Sequence, residues 1–382
     1  MFDFAIAEEP SVLQCVICTL AFLAVLLMNN NTAVKTIGDA KVSKQKERFF
    51  VLCFVLLAVF YMSDSDFFHY QQIVVRDLDL EDLRWNHVER VYTYITSFVD
   101  RNYFLFRVIV WGGASILLYF TVNRYLGRGY YGMFFLFASY FAFFSYGRVS
   151  LAMAIYFLGL SLLCKSPEKW KWLGRILGLA LIGVSYEFHH SILVLIILTP
   201  LIFLPLNKWT VLIPLLLIPI VVIVLKDVLE LIAMSELLSE ETQEGGVSGR
   251  VSGILESSTS RANMSLLMSI RVFYGYLTFV VPFVLVTRKI FDKKRDGAMP
   301  IYLQQLYKVA LGVFMASIGF MLIFGLNIMF YRILYMLMIP LSILMVGLRQ
   351  YNFISYKSFV NVLYFNMVYM IIDYFYSIYM YL

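Results

Sequence analysis

Ionisable side chains interrupt the apolar runs of this sequence at a few positions, and their types point to phosphate and proton chemistry. The stretch "FFSYGRVSLAMAIY" (Phe143–Tyr156) sets Arg148 between two apolar runs, and "YEFHHSILVL" (Tyr186–Leu195) sets Glu187, His189 and His190 in the same kind of seam. Arg271 and Arg332 open two further apolar runs. A guanidinium holds a phosphate through two parallel hydrogen bonds, which an ammonium does not. An imidazole exchanges a proton near neutrality, and a nearby carboxylate can orient it. On one regular helix Glu187 and His189 face different ways, whereas Glu187 meets His190 or Ser191 at the i,i+3 and i,i+4 spacings; a break in the helix changes that geometry. Adjacent histidines seldom converge on one ion without further ligands, so the group reads as a proton-handling pair or an interfacial cap rather than a metal site.

The elements that position these residues must be membrane helices. Hydrophobic residues make up 61% of the 382 residues and charged residues 15%, more apolar surface than a water-soluble core absorbs. Runs of the roughly 17–25 apolar residues needed to cross a hydrocarbon layer recur along the chain. They are continuous rather than alternating, which indicates an all-α polytopic protein and not a barrel. Twelve spans are expected, near residues 11–28, 49–63, 104–121, 130–146, 149–164, 173–188, 191–206, 210–226, 272–288, 307–325, 331–348 and 359–380, in one transmembrane domain over 1–382. Asp3, Glu8 and Glu9 precede the first run where a cleavable signal would carry basic residues, so that span is expected to stay in the membrane. Cys15 and Cys18, spaced C-x-x-C inside an apolar span, read as packing. The net charge of +6 is dispersed over membrane-flanking loops, which argues against nucleic acid as a partner.

With an outer N-terminus, the connections 29–48, 122–129, 165–175, 207–209, 288–308 and 349–358 fall on the cytoplasmic side and hold 20 of the 31 Lys and Arg residues. The positive-inside rule supports this orientation. It puts Arg148, Arg271, Arg332 and the Glu187–His190 group on the outward face. Each of the three arginines then begins a helix running inward, where the helix N-terminus adds partial positive charge and attracts anions. The outer side carries Lys226 and otherwise arginine. The arginines read either as a diphosphate site at the outer boundary or as side chains snorkelling to lipid headgroups.

Two large outer loops are expected near 64–103 and 227–271. In the first, Leu83, Val88, Val91, Ile95 and Phe98 recur at helical spacing, giving an interfacial amphipathic helix that covers a lipid-linked substrate or rests on the membrane. Its Asp64 and Asp66 form a D-x-D, a pattern shared by diphosphate-metal sites and helix caps. The second loop, rich in Ser, Gly and Glu and containing Arg250 and Arg261, is a connector or a lid. Tyr92, Tyr94, Tyr103, Tyr274 and Tyr276 fall at interfacial depth, where tyrosine forms aromatic belts or stacks on sugars.

Taken together, these stretches resemble the EpsG family of Wzy-like polysaccharide polymerases. "YGRVSLA" (Tyr146–Ala152) resembles the family's Arg-x-x-Leu-Ala pattern, with Arg148, Leu151 and Ala152 matching. "FHHS" (Phe188–Ser191) is similar to its Phe-His-x-Ser element, which places the family histidine at His189 and His190 in the variable position. "SDFFHY" (Ser65–Tyr70) resembles its Asp-Tyr-x-x-Tyr element through Asp66 and Tyr70, with Phe67 where tyrosine is usual. "RILYMLMIP" (Arg332–Pro340) is similar to the late Arg-x-x-x-Tyr-Phe segment, with the aromatic displaced to Tyr335.

The resemblance implies a membrane glycosyltransferase of GT-C-like architecture. Its reaction would join oligosaccharide repeat units carried on polyprenyl diphosphate into an O-antigen, capsule or exopolysaccharide, at the outer face of a bacterial plasma membrane. Such a reaction needs cations for the departing diphosphate and a base for the attacking hydroxyl. Arg148 is the expected clamp, supported by Arg332 and Arg271. His189 is the expected base, with Glu187 orienting it or acting in its place, and Asp66, Tyr70, His190 and Tyr335 are expected around the substrate. No cofactor or metal is required. The expected partners are the lipid-linked oligosaccharide, the growing chain, membrane lipid, a flippase and a chain-length regulator. A glycan ligase of related fold would use the same arginines, a lipid-linked oligosaccharide flippase would carry midplane charges and repeated halves, and a membrane acyltransferase would draw its donor from the cytoplasm.

Overall fold

The computed structural model describes residues 44–60, 90–127, 147–166, 168–207, 266–292, 299–324 and 333–379, with isolated positions in 16–24 and at 74 and 209. Asp64, Asp66, Tyr70, Arg250, Arg261, Arg332, Cys15 and Cys18 lie outside the described residues.

The described residues form helices and no strand. In chain order these are α1 (Lys44–Phe60), α2 (Arg90–Phe98), α3 (Tyr103–Leu126), α4 (Gly147–Cys164) and α5 (Lys171–Phe188). They continue with α6 (His190–Phe203), α7 (Leu266–Ile290), α8 (Ile301–Phe324), α9 (Met338–Gln350) and α10 (Tyr356–Tyr379). Among the described residues five stretches are long and apolar enough to cross a membrane: Tyr103–Leu126, Gly147–Cys164, Phe273–Ile290, Ile301–Leu322 and Ile333–Gln350. Each coincides with one of the expected spans. α5 matches a further span but carries Lys171, Arg175 and Glu187 at its ends, and α6 is a shorter apolar helix.

Two helices make the centre. α4 buries residues around its whole circumference, including Val149, Leu151, Met153, Tyr156 and Leu160, and every residue from Ile333 to Leu348 is buried. Such all-round apolar helices belong in the middle of a bundle. α4 meets α5 at a glycine crossing: a Cβ on Gly159 would stand 2.7 Å from the Gly178 carbonyl oxygen, and one on Gly178 equally 2.7 Å from the Gly159 oxygen. Small residues of this kind let membrane helices approach backbone to backbone.

α3 is not a regular helix. Its turn Val108–Gly112 is π-helical, between α-helical Tyr103–Arg107 and Gly113–Leu126. In that stretch Arg107 is buried against the end of α1, with Nε donating to the Val59 carbonyl (2.6 Å) and Nη2 to the Ala58 carbonyl (3.1 Å). The last carbonyls of a helix have no partner within it, and a cation there also meets the negative end of its dipole.

Two expectations change. The described part of the amphipathic helix of the first outer loop is α2, and the face it buries is Tyr92, Thr93 and Thr96, followed by Val99, rather than the expected Val91, Ile95 and Phe98; Leu83 and Val88 lie outside the described residues. Val91 and Ile95 are only half-buried and Phe98 is 83% exposed. Packing on α5 selects the buried face, so the helix is turned relative to one that presents its apolar row to a bilayer. Second, α8 begins at Ile301, so Lys308 lies within a helix and not in the preceding connection; its Nζ donates to the Ile202 carbonyl (2.9 Å) and to the Leu204 carbonyl at the end of α6.

Candidate functional site

Arg148 is the second residue of α4, half-buried in the first turn, where the helix dipole adds to its charge. Its position is set from below by glycine. A Cβ on Gly147 would come within 2.2 Å of the Trp111 indole, so only glycine lets that buried ring pass under the start of α4. Trp111 in turn is stacked by Arg107, whose Cζ lies 4.6 Å from the ring centroid.

Tyr92 holds Arg148 from the side. This residue of α2 is 2% exposed, and its hydroxyl donates to the Arg148 carbonyl (3.3 Å). The Arg148 Cζ lies 6.0 Å from the centroid of the same ring, at the outer limit of a cation–π contact. The ring also meets Phe188 edge-on at 6.3 Å and Phe106 at 6.2 Å. Phe188 is the last residue of α5 and immediately precedes His189. One buried tyrosine therefore joins the first turn of α4 to the end of α5.

At His189 the helix stops. Its backbone is extended (φ −166, ψ 122), its N–H closes α5 by donating to the Ser185 carbonyl (3.3 Å), and its carbonyl accepts from the Ile192 N–H (3.1 Å) to start the tight first turn of α6. The break takes Glu187 and His190 off a common helix. Glu187 is exposed, the His190 ring lies against Tyr186 with centroids 4.9 Å apart, and no ion pair joins Glu187 to His190 among the described residues. His189 itself is half-buried. Ser191, at the i,i+4 spacing from Glu187, has a buried Oγ with no hydrogen-bond partner among the described residues.

Tyr335 also arrives here. It is fully buried, and its hydroxyl lies 3.4 Å from the Ser150 Oγ, one turn into α4. Arg271 is in the first turns of α7, and Arg332 stands three residues before Tyr335 in sequence, outside the described residues. Among the described residues no three His, Cys, Asp or Glu side chains converge as metal ligands.

Of the interfacial tyrosines, Tyr92, Tyr103 and Tyr276 are buried, and the Tyr274 hydroxyl donates to the Phe365 carbonyl (2.9 Å). They pack the bundle. Tyr94, 71% exposed, is the one left open on α2. Sequence reasoning missed Trp111 and Arg107, and it read Tyr92 as a belt or sugar-stacking tyrosine rather than as the link between Arg148 and Phe188. For Arg107 a signal existed: it too lies near the start of an expected inward-running span, as Arg148 does, yet the structure uses it as a helix cap.

The family model for EpsG matches residues 48–382, most of the chain and every residue just described. The chain belongs to the EpsG family. No curated protein and no solved structure matches it. EpsG is a Wzy-like polysaccharide polymerase family. Within this EpsG chain, three of the segments that carry the resemblance, at Arg148 on α4, Phe188–Ser191 at the junction of α5 and α6, and Tyr335 just before α9, are drawn together by Tyr92 and Ser150.

Proposed function

We propose that this EpsG-family protein is a glycosyltransferase that joins polyprenyl-diphosphate-linked oligosaccharide units into a surface polysaccharide. In this reading it is a twelve-span protein of the GT-C kind, and the reaction takes place at the outer face of the bacterial plasma membrane. The observation that carries the reading is the contact of Tyr92 with both Arg148 and Phe188, which gathers a phosphate-binding cation and the His189 break at one end of the α4 and α5 pair.

In the proposed reaction the acceptor hydroxyl of one unit forms a bond to the anomeric carbon of the other, and the bond from that carbon to the diphosphate oxygen breaks. His189 takes the hydroxyl proton, and polyprenyl diphosphate leaves with the bonding electrons. Arg148 stabilises the charge that develops on the diphosphate, helped by the N-terminal dipole of α4. Arg332 and Arg271 extend the clamp, Glu187 is an alternative proton acceptor at the open side, and Asp66, Tyr70, His190 and Tyr335 line or support the substrate site. A flippase delivers the units and a chain-length regulator limits the product.

The test is to incubate the purified protein in lipid with cognate polyprenyl-diphosphate oligosaccharide, with and without a chelator, and to separate the products by size. The expected result is a ladder of repeat units that survives chelation, vanishes in His189→Ala and falls to a small residual yield in Arg148→Lys at equal membrane abundance. A single transfer to a non-repeat acceptor would make the protein a ligase, and the absence of any transfer by folded protein would overturn the reading.

A further inference from the structure

The far end of α4, about 25 Å from Arg148 at 1.5 Å per residue, holds a second cationic cluster that the reaction does not use. Arg124, in the last turn of α3, donates from Nε to the Ser161 Oγ (3.1 Å) and from Nη2 to the Lys165 carbonyl (2.9 Å). Lys165, just past the end of α4, donates from Nζ to the Tyr125 carbonyl (3.2 Å) and lies 4.3 Å from the Tyr302 ring centroid. Each cation thus caps the other's helix. The Tyr302 and Tyr351 hydroxyls are 2.8 Å apart.

Every acceptor in this cluster is neutral, and neither cation meets a carboxylate among the described residues. Two helix C-termini supply about half a negative charge each, so the two full positive charges are left roughly one charge in excess. Donors remain for an incoming anion: the Arg124 Nη1 has no hydrogen bond to a described residue, Lys165 is exposed, and the tyrosine pair uses one of its two hydroxyl protons internally. The depth is that of headgroups, because Trp170 and Trp172 at the start of α5 are 59% and 75% exposed, as aromatic-belt residues are.

We propose that Arg124, Lys165 and the Tyr302–Tyr351 hydroxyl pair form a phosphate-binding site at the membrane surface opposite the Arg148 end, filled by the headgroup of an anionic phospholipid or by a free phosphate. The site does not depend on the polymerase reading.

The full chain in phosphatidylcholine nanodiscs tests it, by thermal unfolding and native mass spectrometry. Titrations with phosphatidylglycerol and with inorganic phosphate at constant ionic strength form the two arms. The expected result is stabilisation and retained lipid with phosphatidylglycerol, with affinity about tenfold weaker in Arg124→Gln and in Lys165→Gln and unchanged in Lys357→Gln. Tyr302→Phe leaves both reciprocal caps in place and is expected to weaken binding as well, which keeps the test valid if the charge variants misfold. Stabilisation by inorganic phosphate, sensitive to the same substitutions, would support the site with a free phosphate as its occupant. Lack of response to either ligand, or a response unchanged in all three site variants, would overturn the proposal.

Discussion

The hydroxyl of Tyr92 donates to the carbonyl of Arg148 at 3.3 Å, while its ring faces the same residue's guanidinium and the edge of Phe188. The contact fixes the backbone of α4 at its first turn, where the carbonyl is also part of the helix ladder. Tyr92→Phe keeps the ring and loses the hydrogen bond, a change of about 1 kcal/mol. Polymer yield per folded protein should fall, while thermal stability drops by no more than that amount. A double-mutant cycle with Arg148→Lys should be non-additive, because both substitutions act on one group. Additive losses would mean that Tyr92 does not act through Arg148.

Gly147 is closed to any side chain by the Trp111 indole. That ring is pinned by Arg107 on its face and cannot give way cheaply. Gly147→Ala is expected to cost about 1–3 kcal/mol as an overpacking change and to abolish polymer formation by displacing Arg148. Thermal unfolding in detergent, read beside the product ladder, checks both effects.

Arg107 is predicted to be structural. Arg107→Met leaves the carbonyls of Ala58 and Val59 without their donor, at a cost of about 1–3 kcal/mol for each buried group. The unfolding temperature should drop markedly, and the fraction that stays folded should retain its turnover. A variant with normal stability and no turnover would instead place Arg107 in the reaction.

The crossing of α4 and α5 predicts a symmetric pair of effects. Gly159→Ala and Gly178→Ala each drive a methyl into the opposing carbonyl oxygen at 2.7 Å. Both should destabilise by about 1–3 kcal/mol, and the double variant should cost less than the sum, since the first substitution already parts the helices. Gly183, where a methyl group would meet nothing within 4 Å, is the control expected to tolerate alanine.

Much of the fold was legible because a hydrocarbon solvent imposes long, continuous apolar runs: the span expected at 149–164 is the helix Gly147–Cys164, and the span expected at 331–348 falls within Ile333–Gln350 apart from its first two residues. The face buried by α2 was not legible. A hydrophobicity row cannot distinguish a lipid-facing side from a protein-facing one, and Thr93 and Thr96 entered the bundle while Phe98 stayed outside. At the site, Arg148 and His189 were visible as polar residues out of place in apolar sequence. Tyr92 was not, because its contacts come from residues 56 and 96 positions away. The break at His189 falls in the gap between the spans expected at 173–188 and 191–206, although no proline or glycine marks its extended backbone.

The π-helical turn of α3 accounts for how one helix serves two neighbours whose directions disagree. In a regular helix residues four apart share a face, so Arg107 and Trp111 would both turn toward α1 and Gly112 would be carried away from it. The wider turn brings residues five apart into line. Arg107 and Gly112 therefore both look at α1, where a Cβ on Gly112 would stand 3.7 Å from Val55 and Val59, and Trp111 is freed to reach Gly147. The extra residue works as a phase shifter: deleting Val110 would keep the hydrophobicity of the span intact and still throw the two halves of the helix out of step, with the Arg148 end losing its support.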